Sequence, residues 1–439
     1  MRGVRSFLVL LAVALGLGAY LYFIEARREP GEQKKQEKVF SGVQAEKIDQ
    51  VTIKSEKGET TTAQKQGNTW QLTKPEAVPA DETELSGITS NLASLEVQRV
   101  VDEQATDLKQ YGLEPPRIDV TFASGGRQLR LLLGQKTPTG SDLYARLPDK
   151  PRVFLVPSYL DTTFNKSTFD LRDKTILKID HDKTDRLEIE TSDRTLKVAK
   201  QGADWRMTSP ADARADFGAI EGILGRLNTT PMKAVTAAAV SDPNELKQYG
   251  LDKPDITVRV GAGSAQAGLA IGKTAAEGTV YARDLSRPMV FTVEKALADE
   301  LKKPADDFRV KDLFDARSFN TTRIEIARSG QNLAFEKDKE TWKQVAPAPK
   351  TADAAKVETL LTALTNSRAT GFVDKIAGTG LDNPELTVTL KYEGGQRQEK
   401  VAFARKGTDA YARREGDASA AKIDAATLDA IVKSIDALK

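Results

Sequence analysis

The three tryptophans of the chain, Trp70, Trp205 and Trp342, are each followed five residues later by proline and eleven residues later by aspartate. A chain that keeps this frame three times is built from copies of one unit, because internal self-similarity is the signature of a repeat architecture. Beyond Asp81, Asp216 and Asp353, apolar residues recur four, seven and eleven positions on: Leu85, Ile88, Leu92; Ile220, Ile223, Leu227; Val357, Leu360, Leu364. This spacing places one stripe on one face and predicts a helix in every copy, with the aspartate side chain accepting from the first free backbone N–H groups.

The copies realign downstream. Leu108-Lys-Gln-Tyr-Gly-Leu113 recurs unchanged as Leu246-Lys-Gln-Tyr-Gly-Leu251, with Gly380-Leu381 as a reduced third version, and Pro116, Pro254 and Pro384 follow. Alternation then predicts a strand in each copy: Ile118, Val120, Phe122; Ile256, Val258, Val260; Leu386, Val388, Leu390. The first and third of these run into Ser124-Gly125-Gly126 and Glu393-Gly394-Gly395, which read as hairpin turns. Upstream of the tryptophans, Val51-Thr-Ile53, Leu187-Glu-Ile189 and Ile324-Glu-Ile326 start further hairpins. The unit is therefore α+β: a β-meander, a helix, a second meander and a closing helix, the last clearest at Leu428, Ile431, Val432, Ile435 and Leu438 after a candidate cap, Asp424. Matching hand-over points at Leu171-Arg172 and Phe308-Arg309 delimit repeats over 39–175, 176–311 and 312–439. A length of 439 residues agrees, since one core rarely exceeds about 300 residues.

The N-terminus differs in kind. Ser6 to Ile24 is nineteen residues without a charge, which at about 1.5 Å per residue crosses about 28 Å, close to a bilayer core. A transmembrane anchor over 1–24 is expected, with Tyr20, Tyr22, Phe23, Arg27 and Arg28 at its far end. The competing reading is a cleaved signal peptide with Gly16-Leu17-Gly18 as the small-residue site, but the segment stays apolar past it. Flanking charge does not set the orientation. An N-terminal helix ahead of a long domain acts as a signal anchor, so the expected arrangement is single-pass in the inner membrane with the body in the periplasm. Residues 25–38 are charged, contain a Pro-Gly pair and read as a tether.

Composition narrows the function. Lys and Arg total 65 against 63 Asp and Glu, without the basic excess that binding a phosphate backbone demands, so no nucleic-acid partner is expected. The chain has no cysteine, which removes disulfides, thiol nucleophiles and Cys-type metal sites, and its single histidine, His181, reads as a solvated loop residue. Gly268-Leu-Ala-Ile-Gly272-Lys273-Thr274 looks like a phosphate-binding loop but has three residues between its glycines where four are required. Its counterparts, Gly134-Gln-Lys136-Thr137 and Ala404-Arg-Lys406-Gly407-Thr408, lead into no helix. A turn closing a β-hairpin is expected there, and no nucleotide. Tyr-Ala-Arg recurs as Tyr144 to Arg146, Tyr281 to Arg283 and Tyr411 to Arg413; a guanidinium beside a phenol can hold an anion, so these six residues are the candidate ligand or partner contacts. The alternative is that they serve the fold, as the tryptophans would by packing in the core. No catalytic residue, cofactor or metal ligand is assigned, and the chain is not read as an enzyme.

Trp70 to Pro75, Gln110-Tyr-Gly-Leu-Glu-Pro-Pro116, Leu133-Gly-Gln-Lys-Thr-Pro-Thr-Gly140 and Tyr144-Ala-Arg146 resemble the domain-of-unknown-function family numbered 4340. The resemblance covers 39–439 and is weakest in the third copy, which lacks the tyrosine before Gly380 and the Gly-Lys-Thr stretch. It implies an N-terminal membrane helix and genes beside ABC transporters of the gliding-motility type. The expected function is thus a periplasmic accessory or scaffold protein that contacts ABC transporter membrane subunits. The alternative is a binder of an envelope polymer or small ligand in grooves between repeats.

Overall fold

A computed structural model describes residues 37–438, apart from 241, 277 and 340. The expected membrane anchor over 1–24 and most of the tether lie outside the described residues; among those described, no helix is long and apolar enough to cross a membrane. The chain divides into two compact units, one ending at Lys174 and one beginning at Thr175; the first carries one sheet and the second two.

All three sheets have nine strands in one topology. In the first, β1 (Ile48–Lys54), β2 (Thr60–Gln66), β3 (Thr69–Lys74) and β4 (Val78–Pro79) form a meander, helix α1 (Glu82–Ser94) follows, and β5 (Arg99–Asp102) precedes a second meander of β6 (Ile118–Ser124), β7 (Arg127–Lys136), β8 (Asp142–Arg146) and β9 (Val153–Pro157). The order β4-β3-β2-β1-β6-β7-β8-β9-β5 is antiparallel throughout. Helix α1 therefore leaves one edge of the sheet and delivers β5 to the other. Eight strand spacings make a flat sheet about 38 Å wide, whereas a thirteen-residue helix is about 20 Å long. Residues 95–98 complete the crossing, and Leu85, Ile88 and Leu92 share one core with Val51, Val120, Phe122, Leu131 and Phe154.

The aspartates start the helices as expected. Asp81 accepts from the N–H groups of Thr83 and Glu84, Asp216 from Ala219, and Asp353 from Ala355 and Lys356. Each hand-over point folds back onto its own helix start: Asp81 N–H donates to Leu171 O at 2.8 Å, and Asp216 N–H to Phe308 O at 2.8 Å. The closing helix at Ala425–Asp436 is present, but the Asp424 side chain makes no cap; its carbonyl receives Thr427 N–H instead.

The Leu-Lys-Gln-Tyr-Gly-Leu segment covers the opposite face of the first two sheets. Leu108, Tyr111 and Leu113 pack with Leu132, Tyr144 and Val153 in a small second core, and Leu246, Tyr249 and Leu251 pack with Ala270, Tyr281 and Val290 in the next repeat. Tyr111 meets Tyr144, and Tyr249 meets Tyr281, at centroid distances of 5.0 Å. In the third copy Thr379 stands in the tyrosine's place and donates to Ile376 O, so Tyr411 lacks the aromatic neighbour.

Candidate functional site

The Tyr-Ala-Arg residues do not converge, because each trio sits on the eighth strand of its own sheet. The arginines spend their N–H groups on the loop that follows: Arg146 donates to Pro148 O at 2.9 Å, Arg283 to Arg287 O at 3.1 Å and Arg413 to Asp417 O at 3.0 Å. A guanidinium satisfied by turn carbonyls closes a hairpin, and the paired tyrosines seal the second core. The geometry thus gives these six residues work in the fold.

The tryptophans are buried, with exposures of 5%, 2% and 1%. Trp205 Nε1 donates to Glu221 and Trp342 Nε1 to Glu358, with Lys200 and Lys337 over the two rings. His181, expected in solvent, instead places Nε2 3.2 Å from Glu221 and is only about one-third exposed. Among the described residues no group of His, Asp and Glu is arranged to hold a metal ion.

The Gly-Lys-Thr stretch is not the expected turn. Gly268 to Thr274 lies within one strand, Ala265–Thr274, and the turn comes after it. Gly272 is needed for close approach: a Cβ there would stand 2.3 Å from Tyr249 O, and one at Gly134 would stand 2.1 Å from Tyr111 O. Strand pairing slips at the same place in both copies, between Leu133 and Lys136 and between Ile271 and Thr274. The third copy has Ala404, pairs without a slip and has Thr379 for tyrosine, so the glycine, the slip and the tyrosine carbonyl form one device. Lys273 is exposed and donates to Lys247 O at 2.9 Å.

The second and third sheets, which share one compact unit, enclose a cleft of about 690 Å³ whose lining includes Arg206, Arg214, Arg397, Arg414, Asp315 and Tyr392. Arg206 comes from the strand that holds Trp205, and Arg214 from the edge strand leading into the helix. Arg397 starts and Arg414 ends neighbouring strands of the third sheet. Asp315 bridges the two sheets, accepting from Arg214 at 2.8 Å and Arg414 at 2.7 Å. Burial would raise its pKa, but Arg214 and Arg414 outweigh that and hold the carboxyl below its usual range. Behind it, Glu399 has no exposed side-chain surface and accepts from the N–H groups of Asp315 and Ala316. Burial, and then the hydrogen bond to Glu399, push the Tyr392 hydroxyl up to about 12.

Strand register shows that the fold does not require these charges. Glu399 pairs with Leu390 as Leu129 pairs with Phe122, and Arg414 follows Arg413 as Leu147 follows Arg146. The first repeat therefore packs Leu129 and Leu147 where the third carries an anion and a cation. Sequence reading had missed this site, whose residues share no motif; the available signal was the break in apolar alternation at Glu399.

Comparison with known families settles the kinship of the chain. The model of Domain of unknown function (DUF4340) matches residues 70–204 and again 205–384. The protein belongs to this family. Both matched stretches begin at a motif tryptophan, Trp70 and Trp205; the first ends just before the next tryptophan, and the second runs past Trp342. Of the cleft residues, Arg206, Arg214 and Asp315 lie inside the matched region, and Arg397, Glu399 and Arg414 lie beyond it. No curated protein matches the chain. Solved structures with some likeness include a DNA polymerase sliding clamp from Pseudomonas aeruginosa, at 10% identity over 88% of this chain and 93% of that one, with a TM-score of 0.17. A second clamp structure from that organism, bound to griselimycin, is 10% identical over 87% and 91% of the two chains, with a TM-score of 0.18. Scores this low carry no functional inference.

Proposed function

We propose that this DUF4340 protein is a membrane-anchored periplasmic accessory or scaffold protein of an ABC-type transport system, held at the inner membrane by Ser6 to Ile24. The observation that carries this reading is how the recurring residues are used. The tryptophans are packed in the sheet cores, the tyrosines seal the second cores of the first two repeats, and the motif arginines bind loop carbonyls. What the body then offers a partner is extended sheet surface rather than a pocket of reactive groups, as suits a protein that organises others. Crosslinking in intact cells followed by affinity recovery tests it. Transporter membrane subunits should co-purify with the chain; their absence, with efficient crosslinking of a control envelope complex, would remove the proposal. Protease added to spheroplasts should also degrade the body, and protection until the inner membrane is lysed would reverse the orientation.

A second reading, an envelope ligand binder, draws support from the arginine-lined cleft, which is the kind of groove between repeats that such a function would use.

A further inference from the structure

We infer that the cleft between the second and third sheets is a binding site for a multiply charged anion, of the phosphate or carboxylate class. This extends the second reading above. Its test uses the purified chain, so recovery or loss of a transporter leaves the outcome unaffected.

Four observations converge. First, the basic groups lining the cleft are all arginines, whose planar forks match two oxygens of a phosphate or carboxylate where lysine offers a point charge. Second, the two inner arginines already clamp a carboxylate: Arg214 and Arg414 hold opposite oxygens of Asp315, which demonstrates the geometry the pair accepts. Third, the outer arginines pair with carboxylates about half exposed, Arg206 in a two-bond fork with Asp212 and Arg397 at 3.2 Å from Glu393, so a ligand competes there with pairs open to solvent. Fourth, a cavity of about 20 Å³ shares Arg214, Val310 and Arg414 with the cleft and is also lined by Arg309. The Arg309 side chain is 6% exposed, and its Nε has no hydrogen-bond partner. A buried N–H left unpaired is costly, and a cavity of that size takes one water or one small anionic atom.

The repeat comparison shows that the fold does not require these particular charges. Leu129 and Leu147 show that the fold closes this position with apolar side chains, and where the third copy has Glu399 and Arg414, Asp315 becomes anchored at the mouth. Arg214 likewise occupies a strand position that is Pro79 in the first copy and Thr351 in the third. Arg214 and Glu399 have no charged counterpart in either sister copy, whereas at the place of Arg414 the second copy carries buried Asp284, held by Arg287 within its own turn, so a cation there is particular to the third copy. The carboxylates present are part of the design: Asp315 and Glu399 orient Arg414, and a ligand with several anionic oxygens reaches the remaining N–H groups of Arg206, Arg214 and Arg397.

Isothermal titration of the full-length chain with pyrophosphate, and separately with citrate, tests the proposal. Saturable binding is expected at low ionic strength, with a dissociation constant below about 1 mM, weakening as salt is raised. The stronger of the two probes assigns phosphate or carboxylate as the ligand chemistry. Arg206→Ala with Arg397→Ala should weaken binding about tenfold or more, since each hydrogen bond to a charged group contributes that order of affinity. These residues sit on the rim, so the fold should persist, which circular dichroism checks. The charge-matched pair Lys350→Ala with Lys356→Ala, outside the cleft, should leave binding within about twofold. Absence of saturable binding of either probe at 10 mM would overturn the assignment, as would equal effects of the two double substitutions.

Discussion

Replacing Gly272 with alanine separates a phosphate-loop reading of Gly272-Lys273-Thr274 from the packing role assigned above. The added Cβ would lie 2.3 Å from Tyr249 O, 2.8 Å from Gly250 O and 2.9 Å from Gly250 C, against an ordinary contact of 3.4 Å or more. All three opposed atoms are backbone, so the turn must withdraw from the strand by about 1 Å, and no side chain can rotate away to relieve it. Overpacking of this kind costs about 1–3 kcal/mol. For a repeat of this size each kcal/mol lowers the melting temperature by about 4 °C, giving an expected loss of about 4–12 °C for the second repeat. Calorimetry gives the shift, and hydrogen exchange places it in residues 246–283. Two companion substitutions calibrate it. Lys273→Ala removes one exposed hydrogen bond, Lys273 Nζ to Lys247 O, and should cost less than about 1 kcal/mol. Gly222→Ala, in the helix Phe217–Thr229 with open space around the new methyl, should stabilise by about 1 kcal/mol. A melting shift under about 1 °C for Gly272→Ala would refute the close-approach argument. Micromolar ATP binding lost on Lys273→Ala would refute the non-nucleotide reading as well.

Trp342→Ala should cost about 3–5 kcal/mol in denaturant unfolding, because removing a ring 1% exposed leaves a cavity. Glu399→Leu should destabilise by about 3–5 kcal/mol, because it removes the acceptor of the Asp315 and Ala316 N–H groups and one of the two carboxylates facing Arg414, whereas adding Arg414→Leu, which restores the leucine pair of the first repeat but not that acceptor, should recover only part of the loss in a double-mutant cycle. Tyrosinate absorbance should show a late-titrating component near pH 12 that is lost in Tyr392→Phe. Since burial raises that folded-state pKa above the unfolded value, the neutral tyrosine adds stability below about pH 10 that is lost as pH rises towards 12. Asp315 has the opposite sign: its folded pKa is depressed, so its contribution is full above the unfolded pKa of about 3.9 and falls away as the solution is acidified through the folded value. Asp315→Asn should therefore flatten the acid limb of stability against pH.

The elements legible in the sequence were those set by local chemistry. The aspartate caps, the helix stripe and the alternating strands follow from period and from backbone hydrogen-bonding need, and all three copies fold as that pattern requires. The sheet edges were not legible, because Val78–Pro79 and Lys350–Thr351 are two residues long and carry no alternation to detect. Gly272 misled for a physical reason: glycine marks a turn when its freedom of φ is used, but here it sits mid-strand because another segment's carbonyl occupies the space of a side chain. The same cause explains the third copy, where losing the tyrosine and acquiring Ala404 are two halves of one change.

Repetition also changes how a functional site should be sought in this family. A residue shared by all copies is selected first by what every copy needs, which is a closed core, satisfied loop carbonyls and a capped helix; Trp342, Arg413 and Asp353 meet those needs through Glu358, the Asp417 carbonyl and the Ala355 and Lys356 N–H groups. Function that belongs to the whole chain must instead use what distinguishes one copy from its sisters, since three equivalent sites would otherwise be expected. One such difference is the replacement of Leu129 and Leu147 by Glu399 and Arg414, a buried carboxylate facing a partly exposed guanidinium at a position where leucine serves the fold in the first copy. Exchanging apolar packing for buried charge rarely gains stability, so its presence calls for another return. Here the charges fix Asp315 and Arg214 across the junction of two sheets and aim arginines into the cleft that junction forms. On the proposed reading the divergent third repeat supplies the charges that line the cleft, while the motif residues keep all three sheets in shape.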